Sequence, residues 1–212
     1  MFDIEYKGGN TIVIESKKTR IVVDPKLSVV GLKDLATKDS IELATEPRFA
    51  GADPAVRLRL EGPGEYEVGD VSIKGVPAMR HIDTEADEKI GTIYRIEIGD
   101  VRLAVLGNVA PKLTEDQLEE VGVVDILVIP VGGNGYTLDA TSASTITRQI
   151  DPKIVIPVHY ADSGLKYEVP QDTVDVFTKE LAAPVEQAGQ KLKVKAASSL
   201  SQVLTSVVID RS

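Results

Sequence analysis

Asp125-Ile126-Leu127-Val128-Ile129-Pro130-Val131-Gly132-Gly133 and Lys153-Ile154-Val155-Ile156-Pro157-Val158-His159-Tyr160 are two apolar runs with polar or glycine residues at their ends. Short, continuous runs of Val, Ile and Leu read as strands buried on both faces. Between them Ala140, Ala143, Ile146 and Ile150 fall at helical spacing, so the stretch reads as β-α-β. Downstream, Val174, Phe177 and Leu181 mark a further amphipathic helix that begins near Asp172, after Pro170. The tail returns to strand texture at Leu192, Val194 and Val203–Ile209.

Upstream the texture differs. Thr114-Glu115-Asp116-Gln117 is a capping-box pattern, in which the Thr hydroxyl takes an orphan helix N–H and Gln117 reaches back. Before it the chain reads as strands and turns. Phe2, Ile4 and Tyr6 alternate with polar residues, and Gly8-Gly9-Asn10 turns the chain into Ile12 and Ile14. Arg20–Val23 is a strand that ends at Asp24-Pro25, and Leu32–Thr37 reads as one or two helical turns. Ile41–Ala44 and the alternating Val56, Leu58 and Leu60 read as strands. Two hairpins follow, turning at Gly69-Asp70 and Gly99-Asp100. The expectation is one α/β domain over residues 1–212, mostly antiparallel in its first half and β-α-β-α in its second.

Composition narrows the chemistry. The 212 residues hold 24 Lys and Arg, 33 Asp and Glu, two histidines and no cysteine. Thiolate zinc sites, iron–sulfur clusters, disulfides and cysteine nucleophiles are excluded. A net charge of −9 argues against a phosphate-backbone binder, so no nucleic-acid partner is expected. The N-terminal residues lack the basic and apolar regions of a signal peptide, and no apolar run is long enough to span a bilayer. A cytoplasmic protein without a membrane partner is the expected reading.

The order of Ile21–Pro25, Ile41–Thr45, Val71–Ala78, Leu103–Gly107, Asp125–Gly133 and Val155–Tyr160 resembles the metallo-β-lactamase superfamily over roughly residues 1–165. Ile156-Pro157-Val158-His159-Tyr160 and the Gly-Gly-x-x-Tyr-Thr-Leu-Asp element at 132–139 carry most of the likeness. Within the superfamily it is similar to the small Zn-dependent hydrolases related to L-ascorbate-6-phosphate lactonase. The resemblance implies a four-layer αββα sandwich with the active site along one edge, where strand-end loops meet.

Members of that family hold two metal ions about 3.5–4 Å apart, which generate a hydroxide and polarise the substrate. The ligands come from a Thr-His-x-His-x-Asp-His loop, a later His, a bridging Asp and a last His after Ile-Pro. Carried over residue by residue, Thr45 matches, but the two His positions of the loop fall on Glu46 and Arg48. The Asp-His positions fall on Ala50 and Gly51. The next His falls on Arg80, or on His81 with one residue inserted, and the bridging Asp falls on Asn108. His159 alone matches outright. Guanidinium has no lone pair to give a metal, and its charge repels a dication.

No metal cofactor is therefore expected, His81 and His159 being the residual ligand candidates. The preferred expectation is a non-catalytic binding or regulatory relative, with an unidentified small-molecule or protein partner. The alternative is a hydrolase with a rebuilt mononuclear or metal-free site, using His81, Asp83, Asn108 and His159 on a phosphorylated sugar, lactone or phosphoester. One divalent ion, Zn or Mn, belongs to that alternative. Plainer readings stand beside these: His159 as a structural histidine bonded to backbone or Asp, His81 as a solvated one, Asn108 as a turn cap, and Glu46 and Arg48 as a salt-bridged plug. Gly133, Asn134 and Gly135 are anion-binding candidates ahead of the helix near Asp139, although glycines there more often make only a turn. A structural subunit remains a third expectation, self-associating through the Pro63–Val68 hairpin or the segment after residue 165.

Overall fold

The computed structural model describes residues 1–83 and 90–212; the side chain of Asp83 lies outside them. The first sheet is built from β1 (Phe2–Gly8), β2 (Thr11–Ser16), β3 (Arg20–Val23), β4 (Ile41–Leu43) and β5 (Leu58–Leu60). The second takes β6 (Gly64–Val68), β7 (Val71–Ala78), β8 (Gly91–Ile98), β9 (Val101–Val105), β10 (Ile126–Pro130) and β11 (Ile154–Val158). Helices α1 (Glu115–Val121), α2 (Ala140–Ile150) and α3 (Val174–Leu181) are followed by β12 (Val185–Gln187), β13 (Leu192–Val194) and β14 (Thr205–Val208). The strand orders are β13-β1-β2-β3-β4-β5 and β12-β14-β11-β10-β9-β8-β7-β6.

Patterning explains the layers. Along β1 every second residue is buried, and Ile4 and Tyr6 join Ile14, Ile21 and Leu43 on one face of the first sheet. These pack against Ile73, Tyr94, Ile96, Leu103, Val128 and Ile156 of the second sheet. β10 and β11 are buried throughout because their other face is covered too: Leu127, Ile129 and Val155 meet Ala143, Ile146, Phe177 and Leu181 of the helices. Each buried Leu, Ile, Val or Phe among these contributes about 1.5–3 kcal/mol. The capping box of α1 forms as the sequence predicts, with Gln117 N donating to Thr114 Oγ1 at 3.2 Å and Thr114 N to Gln117 Oε1 at 2.9 Å. Asp139 caps α2 by accepting from Ser142 N at 2.7 Å.

The sandwich departs from expectation in three places. Among the described residues all three α-helices follow residue 114, and they line the second sheet. The outer face of the first sheet is covered instead by loops and short 3-10 turns at Leu27–Val30 and Pro47–Phe49. Glu42, which points outward from β4, is fully covered by that layer: it accepts from Thr37 Oγ1, Gly51 N and Arg59 Nε. The helical turn expected over Leu32–Thr37 lies earlier, at Leu27–Val30, where Leu27 and Val30 bury against Leu165 and Gly31 closes the turn in the left-handed conformation. Finally, the first half is less antiparallel than its hairpins imply. β3, β4 and β5 run parallel to one another, joined by the covering loops rather than by tight turns. No helix among the described residues is long and apolar enough to cross a membrane.

Candidate functional site

The ends of strands from both sheets converge along one edge. Asp24 follows β3, Glu46 and Arg48 follow β4, Arg80 follows β7, Asn108 follows β9, Gly132 follows β10 and His159 follows β11. Edge crevices at the carboxyl ends of parallel strands are where ligands of α/β sheets bind. The β1–β2 turn reaches across to this edge, with Gly9 O accepting from His159 N at 2.8 Å. It carries Asn10 into the cluster.

Glu46 is the anionic centre. Its carboxylate is 1% exposed. Arg48 Nε lies 2.7 Å from Oε2, Arg48 Nη2 donates to Oε1 at 3.2 Å, and Arg80 Nη1 pairs with Oε2 at 3.2 Å. The Arg48 guanidinium also sits 4.6 Å from the Phe49 ring centre and 5.0 Å from that of Tyr136. Both are within cation–π range, so aromatic faces help hold the charge in place. From Glu46 a polar relay runs inward. Asn108 Nδ2 donates to Glu46 Oε1 at 3.2 Å, Asn10 Nδ2 to Asn108 Oδ1 at 3.1 Å, and Asn10 Oδ1 lies 3.0 Å from His159 Nδ1. His159 stacks on Tyr167 at 4.8 Å and meets Tyr136 edge-on at 5.8 Å. Its Nε2 is buried and has no hydrogen-bond partner among the described residues.

Asp24 supports the loop from beneath. Its carboxylate accepts from Thr45 N at 2.7 Å and Thr45 Oγ1 at 2.6 Å, while Thr11 Oγ1 donates to its carbonyl at 2.5 Å. Asp24 (φ 50°) and His159 (φ 51°) both hold left-handed backbone, an uncommon state for non-glycine residues that clusters at functional sites. Burial pushes the Asp24 carboxyl up to about 8 despite the two Thr45 hydrogen bonds. Burial, and then the nearby Arg48 charge, push the His159 imidazole down to about 3, so it is neutral.

Glycine is required where backbone crowds the site. A methyl group on Gly107 would overlap the Thr45 side chain, and one on Gly132 would overlap the His159 carbonyl and Gln171. Beside the cluster lies a cavity of about 100 Å³, whose walls include Lys26, Arg48, Phe49, Tyr136, His159 and Tyr167.

The structure thus brings Glu46, Arg48, Asn108 and His159 together, with Arg80 joined to them through Glu46. His81 contributes its backbone, whose N–H donates to Asn108 O at 2.7 Å, and its side chain does not line the cavity. Asp83 is placed in the 3-10 turn His81–Asp83, and its side chain falls outside the described residues. The plainer readings are revised on two points: Asn108 bridges Glu46 and Asn10 rather than capping a turn, and His159 bonds Asn10 rather than backbone or Asp. Gly133, Asn134 and Gly135 form a left-handed turn before α2, in which Gly133 N donates to Leu138 O at 3.0 Å. Asn10, Lys26 and Tyr167 were not legible as site residues. Asn10 looks like any hairpin asparagine, and Tyr167 lies just beyond the resemblance.

Two sheets packed face to face, helices on the outer face of one, and a polar cleft along the strand ends define a metallo-β-lactamase-type sandwich. The chain belongs to the beta-lactamase superfamily domain family, whose model matches residues 3–159. It is 27% identical over 210 residues to a UPF0173 protein of Pyrococcus furiosus, covering 84% of this chain and 95% of that protein. A UPF0173 metal-dependent hydrolase of Thermus thermophilus is 25% identical over 194 residues, covering 76% and 84% of the two chains. In structure, the chain superposes on a proposed Zn-dependent hydrolase of the metallo-β-lactamase superfamily from Thermotoga maritima. That match has a TM-score of 0.78 and 22% identity, and covers 99% of this chain and 100% of the other. These findings establish the superfamily and fold; the finer likeness to L-ascorbate-6-phosphate lactonase is not carried by them. The metal dependence in the relatives' names runs against the expectation of no metal cofactor.

Proposed function

We propose that this chain is a non-catalytic binding relative of the metal-dependent hydrolases, in which an Arg–Glu–Arg ion cluster stands where relatives would hold metal. The observation that supports it is the pairing of both Glu46 oxygens with Arg48 and Arg80. This donor set does not fit a divalent ion. Two guanidinium groups compete for the one carboxylate, repel a dication, and cannot ligate it. Asn108 spends its amide on Glu46 and its carbonyl on Asn10. Among the described residues no group of three or more His, Cys, Asp or Glu is arranged to hold a metal ion, whereas zinc sites use three or four protein ligands.

The test is metal analysis of protein purified without chelator and then incubated with zinc and manganese. The expected result is well under one equivalent of retained metal. Two equivalents held through gel filtration would overturn the proposal.

A second reading, a hydrolase with a rebuilt site, is favoured by the unpartnered His159 Nε2, a lone pair able to accept a proton or bind one metal ion. It predicts turnover of phosphoesters, lactones or β-lactams that His159→Ala abolishes. A screen of these classes at background rate removes it.

A further inference from the structure

The relay that ends at His159 has a direction, and its charged end sets it. The Glu46 carboxylate, salt-bridged to two guanidinium groups, can only accept, so Asn108 must turn Nδ2 toward it. Asn108 Oδ1 then faces Asn10 Nδ2, and Asn10 Oδ1 is left for His159 Nδ1. With an acceptor opposite it at 3.0 Å, Nδ1 carries the imidazole proton and Nε2 holds a bare lone pair. The assignment follows from donor and acceptor counting along the chain of residues, whichever way each amide is drawn.

That lone pair belongs to a side chain only 3% exposed, and among the described residues no donor meets it. An unmet buried acceptor is costly and is satisfied in most native structures. His159 lines the cavity of about 100 Å³. Lys26 lines the same cavity, and among the described residues its ammonium group has no hydrogen-bond or ion-pair partner. Arg48, Phe49 and Tyr136 add a second cation and two aromatic faces to the wall, and the exposed Glu168 and the buried Asp24 also border it. The cavity therefore asks for a hydrogen-bond donor and an anion in one molecule.

We propose that it binds a small α-hydroxy acid, whose hydroxyl donates to His159 Nε2 and whose carboxylate pairs with Lys26. A cavity near 150 Å³ takes the six heavy atoms of benzene, so this one takes about four or five, the size of glycolate. A water molecule would satisfy Nε2 but leave the ammonium without a counter-charge. A simple carboxylate would do the reverse. The inference rests on the reading of the cleft as metal-free.

The experiment is an NMR titration of chelator-treated protein carrying ¹⁵N-labelled histidine. Glycolate and L-lactate are compared with acetate and propionate, which lack the hydroxyl, and with lactamide, which lacks the charge. In the free protein His159 Nε2 resonates as an unprotonated ring nitrogen, and glycolate or lactate shifts it on binding. Acetate, propionate and lactamide bind at least about tenfold more weakly, the effect of losing one good hydrogen bond or ion pair at a buried site. Lys26→Met weakens glycolate by a similar factor and leaves the free His159 spectrum unchanged. A protonated Nε2 in the free protein, acetate binding as tightly as glycolate, or no response to either hydroxy acid at high millimolar concentration overturns the site. Two equivalents of bound zinc overturn the metal-free reading as well, whereas a metal-free protein that ignores glycolate overturns this inference alone.

Discussion

Arg48 Nε lies 2.7 Å from Glu46 Oε2, so two residues separated by a single proline close an ion pair across one 3-10 turn. Both follow β4 at the strand-end edge of the sandwich. The pair neutralises a buried carboxylate and holds the loop after β4 closed. The pairing of Glu46 with Arg80 and its hydrogen bond from Asn108 extend that tie to the loops after β7 and β9.

Glu46→Gln removes the charge and keeps the shape. It leaves Arg48 and Arg80 facing a neutral amide. Breaking a buried ion pair costs about 3–5 kcal/mol, and the partial exposure of both guanidinium groups reduces this to about 2 kcal/mol. Urea unfolding at neutral pH reads the loss directly. A change below about 0.5 kcal/mol would show that the cluster does not hold the loop.

Asp24 makes stability fall with rising pH. Its folded value of about 8 lies above the ordinary 3.8, so between those values the native state keeps a proton that the unfolded chain has released. The slope of unfolding free energy with pH is then negative from about 4 to about 8 and flat above. Asp24→Asn abolishes that component, and asparagine tolerates the left-handed backbone at this position. Denaturation of both proteins at several pH values should give curves that separate steadily toward pH 8. Parallel curves would rule the effect out.

His159 acts in the opposite direction. Its folded value of about 3 lies below the ordinary 6.5, so the unfolded chain gains a proton first as pH falls. Stability from this group is intact above about 6.5 and is lost progressively down to about 3. An NMR pH titration should find the His159 ring neutral at pH 5. A midpoint near 6.5 would mean the ring is solvated, contrary to its burial.

Gly132→Ala tests close approach rather than backbone freedom. The added methyl meets the His159 carbonyl, which cannot swing aside without moving β11. Overpacking of this kind costs about 1–3 kcal/mol. A lowered Tm together with a shifted His159 resonance is the expected outcome, and an unchanged spectrum would mean the loop yields freely.

Much of the architecture was legible because it rests on local patterns. The buried runs at 126–130 and 154–158, the spacing of Ala140, Ala143, Ile146 and Ile150, and the Thr114 capping box all became the expected elements. What escaped lacked a local signal. β12, Val185-Glu186-Gln187, is exposed along its whole length and pairs in parallel with β14, so it shows neither burial nor alternation. The turn at Leu27–Val30 is shaped by packing on Leu165, far along the chain.

The candidate site divides the same way. Sequence alone determined which side chains stand at the strand ends: Glu46, Arg48, Asn108 and His159. What each can donate or accept is fixed there too, because the chemistry of guanidinium and amide does not depend on where the chain folds. Tertiary structure decided what these residues do together. Asn10 lies 98 residues from Asn108 and 149 from His159 in sequence, and only the docking of the β1–β2 turn against β11 makes the three into one relay. That relay, running from a buried carboxylate, selects the proton position on His159. No local pattern encodes it, because each hydrogen bond is formed between strand ends that meet only once the two sheets have packed.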